Sequence, residues 1–321
     1  MEKIKLGKSD LKVSRIGLGT LAFGHRFKGF QDKEQISKVL NFALDNGINM
    51  LDTAEEYAGG VTEQYIGDVF KERGDREDNV IITKVSHINL FYEDVIKSCN
   101  RSLKNLQTDY IDLYLVHWPF CYYPLSETMK AMDQLLEEGK IRYVGLSNFH
   151  NALLKEANAC LENGEIIANE VEYNLVHRNI EKEVLPFLKK NGVTAITYAP
   201  LQSGFLTTNY DENTTFSEKD FRNNYELFRH KENFVSCKEL FTALREIATN
   251  HDVSPSEVAI NWLLKDDEVL PIPGAKKISH IESNIHATEW RMTKDEIKRL
   301  TTITDNLEIN WDWFDRIRPK E

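Results

Sequence analysis

Cysteine is scarce. The 321 residues contain four, Cys99, Cys121, Cys160 and Cys237, far apart and in no CxxC pair. That spacing argues against a disulfide-built scaffold or a thiolate zinc site and reads as reduced thiols in a cytoplasmic protein. No apolar run approaches the roughly 18 residues of a membrane-spanning helix. The opening MEKIKLGKSDLKVSRIG has no apolar segment of roughly 7–15 residues, so no secretory signal is expected. Basic residues are also in deficit: 40 Lys and Arg stand against 51 Asp and Glu, a net charge of −11 at pH 7. A surface of that sign repels nucleic acid and anionic membrane, so an anionic ligand must be met by local positive groups. Metal signatures are missing too, with no HxH, no HExxH and no carboxylates at ligand spacing.

What is present is the material for a large core: 41% hydrophobic against 28% charged residues. Strand-like and helix-like patterns alternate along the whole chain. After a hairpin-like start come RIGLG (Arg15–Gly19) and a helical pattern from Asp32 to Asn46. INMLD (Ile48–Asp52) precedes a helix from about Thr62 to Arg73, NVIITK (Asn79–Lys84) one from about Tyr92 to Leu106, and IDLYLVH one from about Ser126 to Glu138. IRYVGLSN, IIANEVEY and VTAITYAP continue the alternation, with helices after Phe149 and from about Ile180 to Asn191. A long irregular stretch from Gly204 to Phe234 leads into helices at about Cys237–Asn250 and Ser254–Lys265. EVLPIPG, a short helix near Ser279–Ala287 and a helix at about Thr293–Asp305 complete the pattern. Repeated βα units imply a parallel sheet with right-handed crossovers, and about eight of them with no linker favour closure into a (β/α)8 TIM barrel. The expectation is one domain over residues 1–321, with an N-terminal β-hairpin, a long functional loop after strand 7 and a C-terminal tail. Trp311, Trp313 and Phe314 in that tail are expected to pack on something.

GLGTLA (Gly17–Ala22) matches GxGxxA, and Asp52 closes the next strand, which raises the alternative of an open dinucleotide-binding sheet of the Rossmann type. In that fingerprint the last position opens a helix, whereas here FGHRFKGFQ intervenes. The competing reading is a barrel strand whose glycines let a ligand backbone approach closely.

Three apolar runs end on ionisable residues: INMLD on Asp52, VIITK on Lys84 and LYLVH on His117, with Tyr57 in the loop after Asp52. Singly, each is an ordinary strand end, and a lone histidine is more often structural. In a parallel barrel, however, the C-terminal strand ends converge on one face, so these residues should meet there. A tyrosine with a pKa of about 10 can act as an acid near neutrality if a cation stabilises its phenolate. Lys84 offers that charge, Asp52 can hold Lys84, and His117 can orient a substrate oxygen.

These residues resemble the aldo-keto reductases. LDTAEEY is similar to that family's Asp…Tyr motif, IITK to its lysine strand and LKNLQTDYIDLYLVHWP to its histidine signature. GKIRYVGLSNF, VEYNLVHR, YAPLQSG and IPGAKKISHIESNIHA resemble further segments in the same order, from about Leu6 to Ala287. FSEKDFRNN resembles the long loop of the bacterial general-reductase branch, which includes inositol-operon-type members.

The resemblance implies a barrel that uses NADPH, less often NADH, to reduce an aldehyde or ketone. Tyr57 would be the proton donor, Lys84 and Asp52 its tuning pair, and His117 the group orienting the carbonyl, with Trp118 also at the substrate. Ser147 and Asn148 would bond the nicotinamide carboxamide together with Glu170, and Tyr198 would stack on the ring. Thr20, Leu201, Ser203 and Gly204 would line the pyrophosphate, with Arg222 as a further candidate. Gly274, Lys276, His280 and Asn284 would surround the adenosine end. Its Gly-containing loop with a Lys pair before a short helix also reads, on its own residues, as an anion site. Where the family usually has Gln before VEYN this chain has Glu170, and a carboxylate accepts hydrogen bonds but cannot donate them. Lys276 and Lys277 are left to favour NADP over NAD. Phe23, Trp118 and Tyr123 are candidates for an apolar substrate pocket. The implied partner is a small carbonyl compound, with no nucleic acid or membrane and a monomer or weak homo-oligomer. The alternative is a cofactor-binding regulatory subunit like the potassium-channel β subunits, which typically have Asn where His117 stands.

Overall fold

The computed structural model describes residues 1–24, 32–119, 122 and 124–311. It opens with an antiparallel hairpin, β1 (Lys3–Lys5) and β2 (Lys12–Ser14). Eight parallel strands follow: β3 (Leu18–Gly19), β4 (Met50–Asp52), β5 (Val80–Val85), β6 (Ile111–Val116), β7 (Ile141–Ser147), β8 (Ile166–Glu172), β9 (Thr194–Tyr198) and β10 (Val269–Pro271). Their spatial order is their chain order. A Rossmann sheet reverses its order at a switch point, so sequential order rules that reading out.

The sheet closes where β3 meets β10. Gly17 N–H donates to the Pro271 carbonyl at 3.0 Å, Gly19 N–H to the Pro273 carbonyl at 3.3 Å, and Gly19 bridges Gly274. A Cβ on Gly19 would stand 2.8 Å from the Ile272 carbonyl oxygen. The glycines of GLG therefore admit the neighbouring strand rather than a ligand. Buried Arg15 ties the same joint lower down, donating to the carbonyls of Val269 (2.5 Å), Asp266 (2.8 Å) and Leu264 (3.2 Å).

Side chains on a strand alternate between its two faces, and here the alternation separates two cores. Met50, Val80, Ile82, Leu113, Leu115, Ile196 and Leu270 fill the barrel, with Leu6, Leu11 and Val13 of the hairpin joining them from below. Leu51, Ile81, Val85, Tyr114 and Val116 face outward onto the helices. Those helices include α1 (Lys33–Asp45), α2 (Val61–Arg73), α3 (Tyr92–Leu106), α4 (Leu125–Glu137), α5 (Asn151–Cys160) and α6 (Val184–Asn191). Each buried aliphatic side chain contributes about 1.5–3 kcal/mol, a surplus that can support a charged layer above it.

The stretch expected to be irregular, Gly204–Phe234, holds short helical turns, including α7 (Glu226–Arg229) and α8 (Lys231–Ser236). They are organised around Phe205, whose ring lies 5.5 Å from Phe228, 4.9 Å from Phe234 and 5.2 Å from Phe241. Turns of three to six residues leave no period to read in the sequence. The chain continues through α9 (Lys238–His251), α10 (Pro255–Leu263), α11 (Ile278–His286) and α12 (Lys294–Asp305). Both α10 and α12 begin with a capping box, Ser254–Glu257 and Thr293–Glu296, which satisfies end amides and fixes where each helix starts. Trp311 packs on the core and lies 5.5 Å from the His177 ring. Trp313, Phe314, Tyr123 and Cys121 lie outside the described residues.

Candidate active site

The alternation that fills the barrel also builds its mouth. Two residues beyond Met50 on the same face is Asp52, two beyond Ile82 is Lys84, and two beyond Leu115 is His117. Two beyond Ala168 is Glu170, and two beyond Ile196 is Tyr198. The apolar column gives way to ionisable groups at one level.

Lys84 sits at the centre with no exposed surface. Its Nζ donates to Asp52 Oδ2 at 2.6 Å, to the Thr53 carbonyl at 3.0 Å and to the Tyr57 hydroxyl at 3.5 Å, and lies 3.2 Å from Glu170 Oε2. Burial alone would lower the Lys84 pKa, but Asp52 and then Glu170 outweigh it, so the ammonium is held charged above its ordinary range. One ammonium cannot neutralise two enclosed carboxylates. Burial, reinforced by Asp52, raises Glu170 well above the usual carboxylate range, which favours its protonated form. Glu170 Oε2 makes no aligned hydrogen bond. Tyr57 is also pushed up by burial, and Lys84 pulls the other way. The phenol therefore keeps its proton beside a cation that would stabilise its anion.

Tyr57 is aimed by strain. The residues after it, Ala58 (φ 52°), Gly59 (φ 64°) and Gly60 (φ 90°), are all left-handed. For Ala58 that conformation costs about 1–3 kcal/mol. Buried Glu63 pins the following helix to the lysine strand, accepting from the Thr83 hydroxyl at 2.7 Å and from Asn105 at 3.0 Å. Across the mouth the His117 ring meets the Tyr57 ring edge-on, with centroids 6.0 Å apart. His117 Nδ1 lies 2.9 Å from Glu56 Oε2, a contact that escaped the sequence reading although Glu56 directly precedes Tyr57.

The family model described as the aldo/keto reductase family matches residues 15–305. The chain belongs to the aldo/keto reductase family. Aldo-keto reductase YhdN of Bacillus subtilis (strain 168) is 33% identical over 316 residues, covering 95% of this chain and 94% of that protein. Among solved structures, the glycerol dehydrogenase AKR11B4 from Gluconobacter oxydans superposes with a TM-score of 0.87 at 27% identity, over 97% of each chain. An aldo-keto reductase from Klebsiella pneumoniae in complex with NADPH gives 0.77 at 27% identity, over 97% of this chain and all of that one (100%). The chain is thus an oxidoreductase of the aldo-keto reductase type, built on the barrel of that family.

Most residues expected at an aldo-keto reductase site adjoin this cluster. Thr20 holds the Asp52 carbonyl through its amide (2.9 Å) and hydroxyl (2.7 Å). Asn148, left-handed at φ 65°, donates to Ser147 Oγ at 2.9 Å and to the His117 carbonyl at 3.2 Å, and accepts from the Tyr198 hydroxyl at 2.9 Å. After β9, Gln202, Ser203 (φ 55°) and Gly204 (φ 97°) form a left-handed turn following Leu201. Gln202 is anchored by Glu172 and the Tyr225 hydroxyl.

At the far end Lys276 N–H donates to His280 Nδ1 at 3.3 Å, and Asn284 Nδ2 is a buried donor without a partner. Two other candidates sit elsewhere. Phe23 is enclosed in the core at 1% exposure. Arg222 is held by Asp220 at 2.7 Å and the Tyr210 hydroxyl at 2.6 Å, with its guanidinium 4.2 Å from the Phe216 ring centre. It stabilises the long loop from within. Among the described residues no group of three or more His, Cys, Asp or Glu side chains is placed to hold a metal, and no helix is long and apolar enough to cross a membrane.

Proposed function

We propose that this aldo-keto reductase reduces an aldehyde or ketone to the alcohol with NADPH, using Tyr57 as general acid. The observation that carries the proposal is the enclosed Lys84 ammonium, 3.5 Å from the Tyr57 hydroxyl and locked by Asp52. A phenol in that setting can release its proton to a developing alkoxide, because the phenolate left behind faces a fixed, fully buried cation. His117 orients the carbonyl oxygen from the opposite side, and Trp118, next along the chain, is the proposed neighbour of the substrate.

NADPH, when bound, supplies the hydride. The residues present fit that cofactor: the unpartnered Asn284 donor, the left-handed Ser203–Gly204 turn and the Lys276–His280 loop suit its phosphates and adenosine. Thr20 and Leu201 would complete the pyrophosphate lining and Gly274 the adenosine end. Ser147, Asn148, Glu170 and Tyr198 would hold the nicotinamide. A protonated Glu170 would remove the mismatch expected there, since a carboxylic acid, like an amide, offers both a donor and an acceptor. Lys276 and Lys277 favour the additional phosphate of NADPH over NADH. Buried single thiols at Cys99 and Cys237, both pushed up to about 12 by burial, suit a reducing cytoplasm.

The test is oxidation of NADPH and of NADH with a panel of reactive aldehydes and ketones, using wild type and Tyr57→Phe. Wild type should turn over faster with NADPH, and Tyr57→Phe should lose about 10²–10⁴-fold in kcat while still binding NADPH. A folded Tyr57→Phe protein reducing carbonyls at the wild-type rate would sink the mechanism.

A further inference from the structure

Glu56 has no role in the chemistry described so far, yet it touches the histidine that faces the substrate. Its two oxygens are divided. Oε1 accepts from the Ser86 hydroxyl at 2.6 Å and lies 3.6 Å from His87 Nδ1, while Oε2 faces His117 Nδ1 at 2.9 Å. His117 Nδ1 has no solvent access, and the group it faces is the Glu56 carboxylate, a pair that is ionic only when the imidazole is protonated. The His117 backbone is fixed from both sides, with its N–H donating to the Val85 carbonyl at 3.0 Å and its carbonyl accepting from Asn148 at 3.2 Å. The ring's remaining freedom is set by Glu56, and a ligand can reach it only through Nε2.

We propose that Glu56 is a positioning residue for the reductase reaction: it keeps the proton on His117 Nδ1, turns Nε2 alone to the substrate oxygen, and provides the counter-charge for a cationic imidazole. The inference rests on the reductase reading of the site. With Nδ1 protonated, a neutral ring presents a bare Nε2, which can accept from an alcohol but cannot donate to a carbonyl. The cationic ring presents Nε2–H, a donor beside the Tyr57 hydroxyl. Contact with His117, against partial burial and assisted by Ser86, holds Glu56 down at about 2, so it is an anion throughout the working range. Around His117, burial disfavours the cation, Glu56 is the largest influence in its favour, Lys84 opposes it and Asp52 assists it. Tyr57 faces the ring edge-on and stays neutral.

The test is Glu56→Gln, which keeps the size and an acceptor for Ser86 but removes the charge. Side-chain NMR of His117 in the folded, ligand-free protein should show the Nδ1–H tautomer in wild type. It should also show a titration midpoint lower by about one pH unit in the variant. The alkaline limb of kcat/KM for carbonyl reduction should move down by the same amount, with about a tenfold loss at neutral pH, unchanged NADPH affinity and partial recovery in Glu56→Asp. An unchanged His117 titration in folded Glu56→Gln overturns the proposal whatever the activity. So does a loss of turnover that is uniform across pH with a normal titration. Because the titration needs no turnover, an inactive wild type would count against the reductase reading while leaving this test intact.

Discussion

Lys84 is enclosed and Lys265 only partly covered, yet the more deeply buried of the two keeps its charge more firmly. Lys84 is fully enclosed, with Asp52 and Glu170 both within 3.2 Å. Lys265 follows α10 and retains 21% side-chain exposure. Its Nζ lies 3.2 Å from the Trp262 ring centre and 2.8 Å from the Tyr173 hydroxyl, with Glu181 at 3.8 Å. Burial pushes Lys265 down to about 8, whereas Lys84 is raised above its ordinary value. Depth therefore does not decide the charge of a buried ammonium; the number of carboxylates in contact does.

The largest expected effect breaks that comparison at the mouth. Lys84→Met should cost at least about 10²-fold in kcat by removing the cation beside Tyr57, while Lys265→Met should leave kcat and KM unchanged. Steady-state assays of the two variants check this, and similar losses in both would contradict it. A smaller effect concerns stability. Because the folded-state pKa of Lys265 is lowered from 10.5 to about 8, the unfolded chain binds the extra proton between those values and stability rises with pH across that window. Lys265→Met should thus stabilise the protein by on the order of 1–2 kcal/mol below pH 8, and the gain should shrink toward pH 10.5. Urea denaturation of both proteins across that range measures the difference. The smallest effect is at Glu170. Wild type should bind NADPH less tightly as pH rises and Glu170 ionises, and Glu170→Gln should bind with about the wild-type affinity and lose that dependence. Fluorescence titration of NADPH checks this, and parallel pH profiles would show that Glu170 is not the titrating group.

The alternation of apolar runs made the barrel legible, and strand ends at Asp52, Lys84 and His117 made the face legible. The same alternation would have found Glu170 and Tyr198 without any family likeness, since each lies two residues beyond an inward-facing apolar residue. Glu56 was harder to find. It lies in the turn just before the 3-10 turn at Tyr57–Gly60, outside either regular period, and its partner is 61 positions away, just past the end of β6 (117 − 56). GLG misled in a different way. A glycine that admits a backbone looks the same in sequence whether that backbone belongs to a ligand or to the chain itself, and only the position of β10 distinguishes the two. Helical turns inside the long loop left no trace because their order comes from Phe205 and Arg222 contacts rather than from periodicity.

The joint between β3 and β10 also sets an order of events during synthesis. Asp52, Tyr57, Lys84 and His117 leave the ribosome well before Pro271, Pro273 and Gly274, whose backbone completes the ring. A nascent chain ending before those residues holds every group proposed for proton transfer yet has an open seam beside Thr20. The loop proposed for the adenosine arrives with the closing strand, so on that reading cofactor capture and barrel completion would fall to the same late segment of the chain.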